Sequence, residues 1–130
     1  MHENEISKKI IGAAIEVHRV LGPGLLESIY EDALCHELNL RGIHFLRQKS
    51  VPIPYKGIKL KSDLRLDLLV ENKVIVDLKA KEKLSPIDKP KLLSYLRLSE
   101  NHLGLIINFH VEVLRDGIKR VVNRLDEGAS

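Results

Sequence analysis

The sequence predicts a mixed α/β fold, a sheet with helices packed on it. Three observations carry this: two helical periodicities at the start, a run of short apolar segments after Gly42, and a third helical segment set between strands. Ile6, Ile10, Ala13, Ala14, Val17, Val20 and Leu21 recur at helical spacing, so residues 5–21 read as an amphipathic helix stopped by Gly22-Pro23-Gly24. A second helix runs from about Leu25 to Arg41, with Leu26, Ile29, Tyr30, Ala33, Leu34 and Leu38 inward and Gly42 at the C-terminal cap. Phe45 to Tyr55 is broken by Pro52 and Pro54, which suits an edge strand and not a central one. Lys56-Gly57 reads as a turn and Ile58 to Lys61 as a short strand. Leu64–Val70 and Val74–Ala80 flank Glu71-Asn72-Lys73 as a hairpin. A third helix starts at Asp88-Lys89-Pro90, with Leu92, Tyr95, Leu96 and Leu98 as its inward stripe. Gly104–Phe109 and Ile118–Arg124 are the last strands, separated by the turn signal Asp116-Gly117, and Asp126 to Ser130 is expected to fray.

Composition narrows the function. The 130 residues are expected to form one domain over residues 1–130, with an ordered core of about 5–124. Aromatic residues make up only 4%, so the core must be aliphatic, and a base-stacking platform of several exposed rings is excluded. The one cysteine, Cys35, excludes an internal disulfide and a Cys-based zinc site and reads as a small packing residue. The six histidines show no ligand spacing. With a polar N-terminus and no apolar run near the ~20 residues of a membrane span, the expectation is a cytoplasmic protein that does not engage a membrane.

Charge is unevenly spread. Residues 1–40 hold three basic and seven acidic side chains, whereas 41–130 hold eighteen basic and eleven acidic. Arg41, Arg47, Lys49, Lys56, Lys59, Lys61 and Arg65 face a single acid, Asp63, in their stretch, and a second basic run holds Lys79, Lys81, Lys83, Lys89, Lys91 and Arg97. Such clustering suits a phosphate backbone, and equally suits lysine-rich edges kept for solubility.

The hairpin is the most informative piece. A three-residue loop between Val70 and Val74 would set Asp67 opposite Asp77 and Arg65 opposite Lys79, all four on one face. Opposed like charges destabilise a sheet unless something cationic lies between them. Lys79 or Arg65 could serve, giving a salt-bridged face, and so could a divalent ion such as Mg²⁺ or Mn²⁺, which takes hard oxygen donors.

These residues also carry a family resemblance. Gly24-Leu25-Leu26-Glu27-Ser28-Ile29-Tyr30 resembles the signature of the GxxExxY protein family, which looks like a minimal member of the PD-(D/E)xK nuclease superfamily. Arg65-Leu66-Asp67, Val76-Asp77-Leu78-Lys79-Ala80, the Tyr95 helix, Gly104 to Phe109 and Ile118-Lys119-Arg120 follow in order, so the similarity spans roughly residues 5–124. It implies a three-layer α/β/α sandwich around a short mixed β-sheet, restriction-endonuclease-like in architecture. By resemblance, Glu27, Asp67 and Asp77 would be metal ligands for Mg²⁺ (or Mn²⁺), and Lys79 would orient or activate the attacking water. Tyr30 is expected to pack in the core with its hydroxyl near the site. Lys91 departs from the pattern: relatives carry glutamine four residues before the helix tyrosine, here Tyr95.

The implied function is a divalent-metal-dependent nuclease acting on DNA, with Arg65, Lys59, Lys61, Lys81, Lys83, Lys91 and Tyr95 on the nucleic-acid side. The rival readings are a catalytically inactive nucleic-acid-binding module of the same fold and a protein-interaction or dimerisation domain. A chain this short also leaves room for a homodimer or another protein partner.

Overall fold

A computed structural model describes residues 1–126; residues 127–130 lie outside it, and with them most of the tail expected to fray. Asp126 itself is tied down, its carbonyl pairing with the His2 ring at 2.7 Å. The elements follow as α1 (Glu3–Leu21), α2 (Glu27–Leu40), β1 (Phe45–Val51), β2 (Pro54–Tyr55), β3 (Ile58–Lys59), β4 (Leu64–Val70), β5 (Val74–Lys79), α3 (Asp88–Ser99), β6 (Leu103–Asn108), a 3₁₀ turn (Leu114–Gly117) and β7 (Ile118–Val122).

Five strands form one mixed sheet in the order β1-β4-β5-β6-β7, with β2 and β3 as a separate ribbon. Only β5 and β6 run parallel, and α3 makes the crossover that a parallel pair requires. Helices cover both faces. Ile6, Ile10, Ala14, Tyr30, Leu34 and Leu38 of α1 and α2 bury against Val74, Val76, Leu78, Leu105 and Ile107. On the other face Leu92 and Leu96 of α3 bury against Leu66, Leu69, Ile75 and Ile106. The result is the expected α/β/α sandwich. Because β6 lies under helices on both sides, every residue of Leu103–Asn108 is buried, which is why it reads as an unbroken apolar run. As the prolines demanded, β1 is an edge strand.

Helix α2 corrects the inward stripe. Leu26 is 71% exposed because the helix begins at Glu27 with Leu26 as its cap, and Ile29 is 40% exposed because the buried face is the one that carries Tyr30, Leu34 and Leu38. Tyr30, Leu34, Cys35 and Leu38 are the buried set. Leu98 of α3 is likewise exposed, while Leu92 and Leu96 are fully buried.

Two glycines mark close approaches. A Cβ on Gly104 would meet the Leu92 side chain at 2.8 Å, and one on Gly117 would meet the Asn108 carbonyl oxygen at 2.1 Å. A leucine side chain can shift, whereas a backbone carbonyl in a central strand cannot. Gly104→Ala is therefore expected to cost about 1–3 kcal/mol, as overpacking usually does, and Gly117→Ala distinctly more. Urea unfolding of the two variants checks the order.

Candidate active site

The hairpin register is the one the loop length predicts: Val70↔Val74, Leu69↔Ile75 and Leu68↔Val76 pair. Glu71 and Asn72 turn the chain with φ of 53° and 58°, and Lys73 N donates to the Val70 carbonyl at 3.0 Å. The ladder stops after Leu68↔Val76. Leu78 N–H, which would continue it, instead donates to Asp67 Oδ2 at 2.8 Å. Past that point β4 stays paired to β1 (Ser50↔Arg65, Val51↔Leu64), while β5 stays paired to β6 (Asp77↔Ile106, Lys79↔Asn108). The two central strands thus part like a fork. Asp67 is accordingly not paired with Asp77, nor Arg65 with Lys79, contrary to the register extrapolated from the loop.

The fork coincides with a roll of β4 about its own axis. Leu68 and Val70 pack on the α1/α2 side, yet Leu66, which alternation would put with them, packs on the α3 side. Opposite, in β1, Gln48 takes φ of 52°, left-handed for a non-glycine residue. Its Nε2 donates to Glu31 Oε1 at 2.9 Å, and Arg47 Nε donates to Glu31 Oε2 at 2.6 Å, so α2 holds the kinked strand. Arg47 also reaches Asp32 at 2.5 Å.

Inside the fork lies a cleft of about 190 Å³ lined by Glu27, Arg65, Asp67, Asp77, Lys79, Lys91 and Tyr95. A larger groove of about 720 Å³, at Arg97, Glu100, His102, Asn123 and Arg124, has no pair of acids and lies away from this chemistry. Glu27 reaches the cleft as the first residue of α2, where a carboxylate also meets the unpaired N–H groups of the helix start. The loop before it is fixed by Tyr30, whose hydroxyl donates to Gly22 O at 2.5 Å and accepts from Leu25 N at 3.1 Å. Its ring stacks on Phe109 at 4.5 Å. Tyr30 is thus a core residue as expected, but its hydroxyl binds the α1–α2 loop and acts on the cleft only through Glu27. Gly24, with φ of 95°, supplies the backbone that this loop needs.

Lys79 Nζ lies 3.3 Å from Asp77 Oδ1. Partial burial opposes the Lys79 charge, but Asp77, Asp88 and Glu27 outweigh it and hold its pKa above the usual lysine value. Lys79 is therefore a cation in the metal-free cleft. Burial pushes the Asp67 carboxyl up, with Asp77 and Glu31 adding to it and the Leu78 N–H and Lys79 opposing. Glu27 is also raised, first by burial and then by Asp67 and Asp77. Glu27 and Asp67 thus lie in one another's field and in that of Asp77. Among the described residues, no three His, Cys, Asp or Glu side chains converge tightly enough to enclose an ion by themselves. Mg²⁺ does not require that, since it is usually held by one or two carboxylates together with water and substrate phosphate.

The outer residues divide. Lys91 and Tyr95, one turn apart on α3, both line the cleft, with Lys91 Nζ 5.5 Å over the Tyr95 ring. Lys81 is not free: its Nζ pairs with buried Asp88 at 2.7 Å. Burial would raise Asp88, but Lys81 and the Ser85 N–H hold its carboxyl below the usual range. Lys83 is exposed in the loop after β5, and Lys59 and Lys61 are exposed on and just after the β2–β3 ribbon. Sequence reasoning missed Glu31, Gln48, Asp88 and Asn108. Asn108 Nδ2 donates to the Lys81 carbonyl at 2.8 Å and its Oδ1 accepts from Lys81 N at 3.1 Å, fixing the chain just past Lys79. A polar residue ending the apolar run of β6 was the available signal.

The fold is a three-layer α/β/α protein with a forked central hairpin and an Asp, Asp-x-Lys cleft. The chain belongs to the PD-(D/E)XK nuclease superfamily, whose family model matches residues 4–121. No curated protein and no solved structure matches it. No helix among the described residues is long and apolar enough to cross a membrane.

A raised carboxyl in the folded state binds its proton more tightly than in the unfolded chain. Stability contributed by Asp67 therefore falls as pH rises from the unfolded value of about 3.9 through the higher folded one. In metal-free protein, Asp67→Asn is expected to raise Tm at neutral pH, with the gain fading below about pH 4. Thermal melts from pH 3 to 8 check this.

Proposed function

We propose that the protein is a divalent-metal-dependent nuclease that hydrolyses phosphodiester bonds in DNA. The observation that carries this is the fork, which brings Asp67, Asp77 and Lys79 into one cleft with Glu27. The donor set fits Mg²⁺ or Mn²⁺: every candidate ligand is a carboxylate oxygen, and Asp67 keeps one oxygen beyond the one held by Leu78 N–H. When bound, the ion would supply Lewis-acid charge and a water of lowered pKa.

The chain's own residues would do the rest. Glu27, Asp67 and Asp77 would supply the negative charge that draws the cation in, with water and substrate phosphate completing its shell; without it they would repel a phosphodiester. Lys79, 3.3 Å from Asp77, would hold the attacking water or a non-bridging phosphate oxygen, orienting or activating it. Arg65, Lys91 and Tyr95 line the approach, and Lys59, Lys61 and Lys83 extend a basic surface for the backbone. Lys81 is engaged by Asp88, so its charge is largely spent within the fold and not on phosphate. Salt-dependent binding with little sequence preference follows from such contacts. A cytoplasmic setting, a single domain over residues 1–130 and assembly as a homodimer or with a protein partner are compatible with this reading.

The second reading, a binding module without catalysis, draws on Lys91. An ammonium at the cleft wall competes with a divalent ion for the same carboxylates. In a solvent-open cleft at ~4 Å this is worth ~1–4 kcal/mol, about one to three decades of affinity. Lys91→Gln is thus expected to tighten Mn²⁺ binding measured by calorimetry. If Lys91 serves phosphate instead, the variant will weaken DNA binding and lower its salt dependence by about one counterion.

The direct test is plasmid cleavage with Mg²⁺ or Mn²⁺. Metal-dependent nicking lost in Asp77→Ala is the expected result, with a Mn²⁺-soaked crystal showing anomalous density among Glu27, Asp67 and Asp77. DNA binding without cleavage at any metal concentration would move the protein to the second reading.

A further inference from the structure

The β2–β3 ribbon stands apart from the main sheet. Pro54↔Lys59 and Tyr55↔Ile58 pair across it, and Leu60 N donates to the Ile53 carbonyl at 2.9 Å. Its tip, Lys56-Gly57, has φ of 47° and 85°, the two left-handed residues of a tight hairpin turn. Pro52 and Pro54 stiffen the entry. Tyr55 and Ile58, directly opposed, are 55% and 63% exposed. Directly opposed across the ribbon, an aromatic and a β-branched residue form one continuous apolar face. Here no part of the described chain covers them.

Charge and position say what does. Lys56 Nζ sits 5.5 Å over the Tyr55 ring, and Lys59 and Lys61 are exposed beside it, with Asp63 the only acid of the stretch. A second copy of the ribbon laid on this face would bring like charges together. A polyanion with apolar base and sugar surfaces between its phosphates complements both features. The ribbon leaves the sheet between Val51 and Leu64, the last pair of the β1–β4 ladder, and the chain then runs through Arg65 into the cleft. From Lys59 to Asp67 is eight residues, which fully extended reach at most about 29 Å. One turn of B-form duplex is about 34 Å.

We infer that this ribbon is an arm that grips duplex DNA within one helical turn of the phosphate in the cleft, an inference that rests on the nuclease reading above. Tyr55 and Ile58 enter a groove, and Lys56, Lys59 and Lys61 take the flanking phosphates. A two-stranded ribbon fits the major groove, about 12 Å wide.

The test is anisotropy of a labelled 30-base-pair duplex with the full chain in Ca²⁺, over a salt series. Tyr55→Ser with Ile58→Ser is expected to weaken binding about tenfold and leave the salt slope unchanged. Lys56→Gln, Lys59→Gln and Lys61→Gln together are expected to lower the slope by about two to three. Both variants should melt like the parent, since the altered side chains are exposed, and Lys8→Gln with Lys9→Gln should bind as the parent does. Parent-like affinity and slope in both arm variants, while the parent binds duplex, would overturn the arm and leave the nuclease reading standing. A parent dimer that the Ser variant converts to monomer in sedimentation would reassign the face to self-association. A parent chain that binds no duplex at all would remove both the arm and the DNA substrate.

Discussion

One hydrogen bond shapes the candidate site. By taking the Leu78 N–H, the Asp67 carboxylate replaces a strand partner with a side chain and ends the β4–β5 ladder at Leu68↔Val76. The central sheet can tolerate this because each parted strand keeps its other neighbour, β1 for β4 and β6 for β5. A buried N–H left unpaired would cost about 1–3 kcal/mol, so an acceptor at residue 67 is a structural need as well as a chemical one. The same carboxylate thereby opens the cleft and lines it. The roll of β4 at this point, matched by the left-handed Gln48 in β1, turns Leu66 toward α3 and closes the far wall.

Electrostatically the cleft is an unfinished balance. Glu27, Asp67 and Asp77 share one field with Lys79, and burial raises the first two before any neighbour is counted. Carboxyls raised by burial and by one another are commonly found where function needs them. Compensation is visible around the rim, where Glu31 is neutralised by Arg47 and Asp88 by Lys81. Even so paired, Glu31 still adds to the field at Asp67 and Glu27, and Asp88 to that at Lys79.

The sequence carried much of this. Two amphipathic helices, the edge strand marked by Pro52 and Pro54, and the hairpin register around Glu71-Asn72-Lys73 were legible, because periodicity and turn chemistry are local. The order of motifs from Gly24 to Ile118 carried the superfamily. What was illegible is non-local. Extrapolating the hairpin register to Arg65 and Lys79 failed because a side chain, not the backbone, takes the next hydrogen bond. The apolar character of Leu26 and Ile29 does not reveal that Leu26 caps the helix and that the buried face is set by Tyr30, Leu34 and Leu38. The partners of Lys81, Glu31 and Asn108 lie on other elements, and only the folded chain brings them together.

The parallel pairing of β5 with β6 has a kinetic side. Val74 and Leu103 meet only after the chain between them has looped through α3, a closure on the order of thirty residues. Antiparallel hairpins form from neighbours, whereas parallel pairs recover their closure entropy late. Asp77 and Lys79 sit on the strand that this pairing anchors. A nascent chain is therefore expected to hold its hairpin before it holds its cleft, and the charged centre should be the last part of the domain to become rigid.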